Sequence, residues 1–380
     1  MDAGVNDDQR LIMETSARFI REVCPLTGVR QNVYRDGRFA ADYWRRAAEL
    51  GWFSMLVPER LGGGSASGNG LMDAALIAYE RGRGLQPGPF VGTNVAAYAL
   101  GVAGSEAQQT TVLPGLLSGV DAVAWVAPTH GDGWGEQTVR ALRTETGYRL
   151  SGLGSLGPDG EGASWLLVTA AADQGELQFL LRPDEPGITI SHLDALDLTR
   201  RFAEVRFDGT TVGVSASLGG QAEDTSALLD RQLAVACVLT VAESVGAMDL
   251  DFEMALQYAK DRVAFGRPIG SFQAIKHLLA DTSLLLEMSK AAAVAAATNV
   301  GADDGYGLEA ASIAKAFVGD SGIDLAQNCF QVFGGIGFTW EHDQHLYLRR
   351  LTTDAALFGD PAWHRERLCQ LAGLQGVETP

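Results

Sequence analysis

The sequence predicts an α+β protein in three parts: an N-terminal helical domain over residues 1–115, a middle antiparallel β-barrel or sandwich over 116–222, and a C-terminal four-helix bundle over 223–380. Three observations carry that prediction. Apolar residues recur at helical spacing on both sides of the middle. Between Asp121 and Asp208 the texture changes to short β-branched and aromatic runs divided by glycine-rich turns. From about Ala227 long alanine- and leucine-rich segments return, with apolar faces suited to coiled-coil-like packing.

Asp7 and Asp8 are good helix-start residues, and Leu11, Ile12, Thr15, Phe19 and Ile20 follow at helical spacing over 7–24. Further helical patterns surround Trp44 to Leu50, Leu71 to Arg83 and Asn94 to Val102. The glycine-rich GGGSASGNG from Gly62 to Gly70 reads as a loop. It lacks the GK[ST] ending and the preceding strand of a phosphate cradle. Seven short runs, AVAWVAP, TVRALRT, YRLSGLG, SWLLVTA, LQFLLRP, GITISHL and FAEVRFD, are the expected strands. The bundle is expected from the long segment ending in QYAKDR, then ADTSLLLEMSKAAAVAAATNV, ASIAKAFVGDSGIDLAQNCFQVFGG and a last helix near His364 to Leu371.

Composition narrows the function. A chain of 380 residues with 46% hydrophobic and 20% charged residues has the material for a large core and more than one domain. A net charge of −18 argues against a nucleic-acid or anionic-membrane surface, while leaving room for a local basic pocket. Cys24, Cys237, Cys329 and Cys369 have neither metal nor disulfide-framework spacing. With an acidic N-terminus and no continuous run of 18 apolar residues, the expectation is a cytoplasmic protein with no membrane span.

The stretch YAKDRVAFGRPIGSFQAIKHLLAD, from Tyr258 to Asp281, reads as a helix end, a turn on Gly266, Pro268 and Gly270, and a second helix. Arg262 and Phe265, three apart, are expected to share a helical face, with Gln273 just past the turn. A guanidinium presents a rigid fork of donors to phosphate oxygens, and a ring packs on a purine. By spacing alone, the same arginine serves equally well against a surface carboxylate.

The pattern RxxFGxxIxxFQxxxHxLAD closely resembles the C-terminal domain of the acyl-CoA dehydrogenase family. QVFGGIGFTWEHDQHLYLRR, from Gln331 to Arg350, looks like that family's QxxGGxGF signature. VPERLGG and YERGRGLQPGPF are similar to its PExxGG and GRxLxPxPF stretches, so the resemblance spans residues 57 to 350. It implies α,β-desaturation of an acyl-CoA thioester: a carboxylate takes the α-proton and the β-hydrogen leaves as hydride to flavin N5. It also implies FAD, an electron-transfer flavoprotein or similar acceptor, and a homo- or heterotetramer. Arg262, Phe265 and Gln273 are then implied contacts for the ADP half of an FAD held by a neighbouring subunit. Gln331, Gly334, Gly335 and Gly337 are implied to line the same region, although Gly334-Gly335 also reads as a helix-ending turn.

The sequence departs from the family pattern in two places. In the middle domain, Ala127 stands where a hydroxyl usually faces the flavin, and Leu156-Gly157-Pro158 replaces a Trp-Ile-Thr segment. His130 in the same loop is read as a solvated histidine rather than a catalytic one. At the base, Phe358, Gly359 and Asp360 fall on the family's YEG triplet, so Gly359 occupies the glutamate position, and the alternative placement falls on Ala236. Asp360, followed by Pro361, reads as a helix cap. Glu243 lies in the largely apolar stretch from Leu233 to Met248, with Ala236, Leu239, Thr240, Ala247 and Leu250 on its face. Desolvation there raises a carboxylate's pKa toward the range of a general base. The competing reading is a buried ion pair with an arginine. The altered motifs resemble the actinobacterial branch acting on bulky acyl-CoAs, steroid side chains included, in which some enzymes pair a catalytic with a non-catalytic subunit. Three functions follow: a dehydrogenase using Glu243, a non-catalytic partner subunit, or a flavin oxidase or monooxygenase on the same fold.

Overall fold

The structure is a computed structural model and describes residues 1, 4–32, 41–130, 133–134, 138–220, 223–302 and 307–374. Helix α1 (Asp7–Val23) starts in a capping box in which the Asn6 side chain accepts from the Gln9 amide and the Gln9 side chain accepts from the Asn6 amide. Then come α2 (Leu26–Asn32), α3 (Ala41–Glu49), α4 (Gly70–Arg83), α5 (Phe90–Ala103) and α6 (Glu106–Leu117). Two of these, α2 and α6, carried no clear sequence signal; α6 even contains Pro114. The glycine-rich loop before α4 is fastened by the buried Asp73, which accepts from the hydroxyls of Ser65 and Ser67, each at 2.6 Å. A carboxylate at its centre is the wrong charge for a phosphate cradle.

Each of the seven expected runs holds a strand. They are β1 (Val123–Val126), then, after the two-residue strands β2 (Thr129–His130) and β3 (Gly133–Trp134), β4 (Val139–Arg143), β5 (Gly147–Leu156), β6 (Trp165–Ala172), β7 (Gly175–Leu181), β8 (Ile188–Leu193) and β9 (Phe202–Gly213). The sheet order is β1-β6-β4-β5-β9-β8 with β7 on β6, and a β1–β5 contact closes the first four strands into a ring. The middle domain is antiparallel except that β6 runs parallel to β1 and β4. All four residues of β1 are buried, because α5 covers its outer face: a Cβ on Gly92 would lie 3.0 Å from the Val123 carbonyl.

The chain returns to helix with α7 (Ser226–Asp261). A hairpin of β10 (Val263–Ala264) and β11 (Arg267–Pro268) follows, then α8 (Gln273–Ala302), α9 (Gly307–Phe333), α10 (Gln344–Ala356) and α11 (Pro361–Leu371). The bundle's fourth member is α10 rather than the expected terminal helix; α11 lies against α9 as a fifth. Buried Gln344, Arg350 and Asp354 interrupt the apolar period of α10, which hides it in the sequence. By length and composition α7 is able to cross a membrane, but 94% of its apolar window is buried inside the fold.

One hydrophobic cluster runs without a break through the N-terminal helices and the bundle, and a second fills the barrel. The first is joined where α4 crosses α7 backbone to backbone. A Cβ on Gly82 would fall 1.8 Å from the Glu243 carbonyl oxygen, and one on Gly246 would fall 1.9 Å from that of Tyr79.

Within the bundle, Asp251 is fully buried and accepts one hydrogen bond, from Gln344 Nε2 at 3.0 Å. Its Oδ1 and the Gln344 Oε1 have no hydrogen-bond partner among the described residues. Burial pushes the Asp251 pKa well above the usual value, so folding favours its neutral acid form. A raised folded pKa gives stability that is present at low pH and lost as pH rises. Asp251→Asn is therefore expected to raise the melting temperature at pH 7 and above, with the gain vanishing toward pH 3. An unchanged or lower midpoint at pH 8 contradicts the neutral acid.

Candidate functional site

The carboxylate offered by the sequence, Glu243, is 1% exposed and sits between two guanidiniums. Arg81 of α4 donates from Nε to Oε1 at 3.2 Å, and Arg200, in the connection after β8, donates from Nη2 to Oε2. Burial pushes the Glu243 pKa up, but Arg200 and Arg81, with Arg350 behind them, hold it below the ordinary carboxylate value. The raised pKa expected from its apolar helix face is therefore corrected. That reading saw only α7, whereas both arginines arrive from other parts of the chain. Glu243 is in the ion-pair arrangement.

The pair is part of a larger buried cluster. Arg200 also reaches Asp354 of α10. Arg350 of α10 donates to Asp197 at 2.6 Å, and Asp197 Oδ1 accepts from the Thr199 amide at 2.8 Å. Arg81 donates to the Tyr43 hydroxyl at 3.2 Å and to the Pro87 carbonyl at 3.1 Å. Asp159 accepts from the amides of Gly88 and Arg201. Sequence reasoning missed these residues, although a charged residue inside an apolar helix, such as Arg81 beside Leu76 and Ile77, is itself a sign that a counter-charge waits elsewhere.

The family's usual base position is no better supplied. Gly359 has φ +92°, and a Cβ there would lie 2.7 Å from the Trp363 ring and 3.0 Å from His364 Nε2. Its neighbour Phe358, also at positive φ, is buried and stacks on Trp125 of β1 at 5.9 Å. Asp360 caps α11, accepting from the Trp363 amide at 2.7 Å, as its position before Pro361 suggests. Lys315 of α9 holds this corner from below, donating to the carbonyls of Ala355 at 2.8 Å and Gly359 at 2.9 Å. Burial pushes the Lys315 pKa down to about 8. Cys237 lies 3.7 Å from His364 Nε2. Burial lifts that thiol to about 12 and drops the histidine to about 3, so the pair stays neutral and is not a nucleophile. Ala236 is fully buried and has nothing to give.

The implied cofactor residues lie elsewhere. Arg262 ends α7 with extended backbone, and Phe265 sits at the tip of the β10–β11 hairpin with φ +53° and 96% exposure. They do not share a helical face, because the helix stops at Asp261 and the chain doubles back on Gly266. Gln273 begins α8, and Gln331 is near the end of α9; both are exposed. A Tyr258–Phe333 ring contact at 5.1 Å sets the ends of α7 and α9 side by side. The three glycines differ. Gly334 needs its positive φ of +63°, and Gly337 packs where a Cβ would meet the Phe330 ring at 3.1 Å. Gly335 has neither reason: among the described residues nothing lies within 4 Å of a Cβ built there. An exposed glycine with open space and an unstrained backbone fits a group approaching from outside. Together with exposed guanidinium and amide donors, this face fits an anionic cofactor shared with a neighbour.

The two altered middle-domain segments adjoin where β1 meets β5. Val126 pairs with Leu156 in antiparallel sense, so Ala127 and Gly157 leave that pair in opposite directions, Gly157 passing beside Trp125. The His130 side chain, with Gly131 and Asp132, lies outside the described residues.

Two family models match the chain: "Acyl-CoA dehydrogenase, N-terminal domain" over residues 6–120 and "Acyl-CoA dehydrogenase, C-terminal domain" over 227–370. The chain belongs to the acyl-CoA dehydrogenase family. Acyl-CoA dehydrogenase FadE34 of Mycobacterium tuberculosis is 33% identical over 365 residues, covering 92% of this chain but 46% of that protein. The chain thus spans about half of that relative's length. Acyl-CoA dehydrogenase IpdE2 of the same organism is 30% identical over 358 residues, covering 93% of this chain and 94% of IpdE2. Among solved structures, a chain of the ChsE4-ChsE5 complex from Mycobacterium tuberculosis superposes with a TM-score of 0.86 at 25% identity, with full coverage of both chains. Acyl-CoA dehydrogenases use FAD as their usual cofactor, and the ChsE4-ChsE5 neighbour is itself a complex of two proteins.

Proposed function

We propose that this chain is a subunit of a heteromeric acyl-CoA dehydrogenase, contributing FAD contacts while a companion chain of the same family supplies the base. The observation that carries the reading is the fate of the base positions. Glu243 is held ionised between two arginines, Ala236 is buried alanine, and Gly359 has no room for a side chain. An α-proton must pass to a carboxylate with a free oxygen facing the substrate, and none of these provides one.

Bound FAD supplies the acceptor for the β-hydride. On this reading Arg262 and Gln273 hold its phosphates, Phe265 packs on the adenine, and Gln331, Gly334 and Gly335 close against the pyrophosphate. Gly337 acts only through packing. Ala127 and Gly157 offer backbone groups to the ring system, since their side chains cannot. The substrate is an acyl-CoA, and the resemblance favours a bulky acyl group, a steroid side chain included. The electrons pass to an electron-transfer flavoprotein or similar acceptor. On this reading the protein works in the cytoplasm, where four free cysteines fit a reducing compartment.

The test is to purify the chain alone and with a co-expressed companion, and to record flavin absorbance and its bleaching by acyl-CoA. A colourless or inactive chain that becomes yellow and active in the pair is the expected result. Bleaching by the chain alone at the rate of the pair refutes the subunit reading and returns the base to this chain. Oxygen consumption in place of transfer to an acceptor points to an oxidase instead.

A further inference from the structure

We propose that the buried ion cluster joining the three parts of the chain carries one proton on Asp354, and that this proton couples the seating of the Asp197–Arg201 segment on α10 to pH. The geometry sets a charge imbalance. Arg81, Arg200 and Arg350 face four carboxylates, Glu243, Asp354, Asp197 and Asp159, and none of the seven residues is more than 8% exposed. Four negative charges against three, out of water, leave one acid without compensation.

The partners identify which acid that is. Glu243 has two guanidiniums. Asp197 has Arg350 and both the amide and hydroxyl of Thr199. Asp159 has two backbone amides, at 2.9 and 3.0 Å. Asp354 shares Arg200 with Glu243, and among the described residues its other oxygen meets only the Ser244 hydroxyl, at 3.4 Å. From its own helix it faces Arg350, whose Nε is bonded to Asp197 and whose Nη1, unpartnered among the described residues, does not reach it as a hydrogen bond, and across the seam it faces Glu243 and Asp197. From α9 the nearest cation is Lys315, whose ammonium is bonded to the Ala355 and Gly359 carbonyls. Burial is the largest influence on Asp354; the arginines pull its pKa down and Glu243 and Asp197 push it up, leaving it at about 6. Asp197 and Glu243 are held low, while burial raises Asp159.

The consequence falls on one segment. Asp197, Thr199 and Arg200 are middle-domain residues whose hydrogen bonds all lead to α7, to α10 or to one another, and Arg349 adds a bond to the Leu196 carbonyl. A folded-state pKa raised to about 6 gives stability that is present in acid and lost as pH rises through 6. The clasp is tighter at pH 5 than at pH 7.5.

The experiment compares wild type, Asp354→Asn and Asp159→Asn in the assembled protein. Melting temperature and hydrogen exchange of residues 197–201 are followed from pH 4.5 to 8. Asp354→Asn, relative to wild type, is expected to gain a few degrees in melting temperature as pH rises from 4.5 to 7 and to stay level beyond. Its 197–201 amides keep at pH 7.5 the protection that wild type has at pH 5, after correction for intrinsic exchange. A difference independent of pH overturns the proposal, and so does the same pH-dependent gain in Asp159→Asn instead. Should Asp354→Asn fail to accumulate, carboxyl titration in labelled wild type decides. A titration near pH 6 assigned to Asp354 upholds the proposal, and one assigned to Asp159 instead, or all four cluster carboxyls ionised at pH 5, sinks it.

Discussion

Glu243→Gln is expected to destabilise the folded chain by about 3–5 kcal/mol, the cost of breaking a buried ion pair from one side, while leaving turnover per bound flavin unchanged in whatever assembled enzyme forms. The amide keeps an acceptor for one arginine and turns an NH2 group toward the other. With one carboxylate neutralised, Arg81 and Arg200 lose the charge they share in a buried setting. The sign with pH also follows. A carboxyl whose folded pKa is depressed gives stability present above its unfolded value and lost as pH falls through the folded one. The gap between wild type and variant should therefore be widest at neutral pH and narrow on acidification. Denaturant midpoints at pH 7 and pH 4, together with turnover normalised to flavin, test both halves. Abolished turnover with an unchanged midpoint makes Glu243 the base and ends the subunit reading.

Gly246→Ala is the second change with a large expected effect, and it opposes the usual trend. In an exposed helix, alanine in place of glycine gains about 1 kcal/mol. At the α4–α7 crossing the new methyl would lie 1.9 Å from the Tyr79 carbonyl oxygen and 3.0 Å from the Arg83 amide. Neither is the flexible end of a side chain, so the helices must separate. Separation pulls Arg81 away from Glu243 and Tyr79 away from Asp249, with which its hydroxyl is hydrogen bonded. A net loss of about 2 kcal/mol or more is expected, with Gly82→Ala behaving alike because its contact is reciprocal. A variant that melts at or above the wild-type temperature shows that the close crossing does not constrain the fold.

Much of the architecture is legible in the chain because local chemistry dictates it. Each expected run holds a strand, since β-branched and aromatic residues bounded by glycine-rich turns suit a pleated backbone through purely local chemistry. The cap at Asp360 was visible because Asp-Pro before a helix is a local signal. What failed was whatever depended on distant partners. Arg262 and Phe265 looked like helix neighbours by count, but Gly266 and Pro268 turn the chain before another helical turn is made. The pKa of Glu243 came out with the wrong sign because its two guanidiniums stand 162 and 43 residues away in sequence. Helix α10 was concealed by Arg350 and Asp354, whose burial makes sense only once Asp197 and Arg200 are set beside them.

The glycine crossing and the continuous helical core also bear on how the chain is made. The β-barrel is an insertion between two halves of one hydrophobic body, so on the ribosome the first helices emerge long before α7, the element they are shaped to meet. Until then the smooth face of α4 stays uncovered and Arg81 has no counter-ion. The N-terminal helices are therefore open to chaperone capture until α7 is made and covers α4.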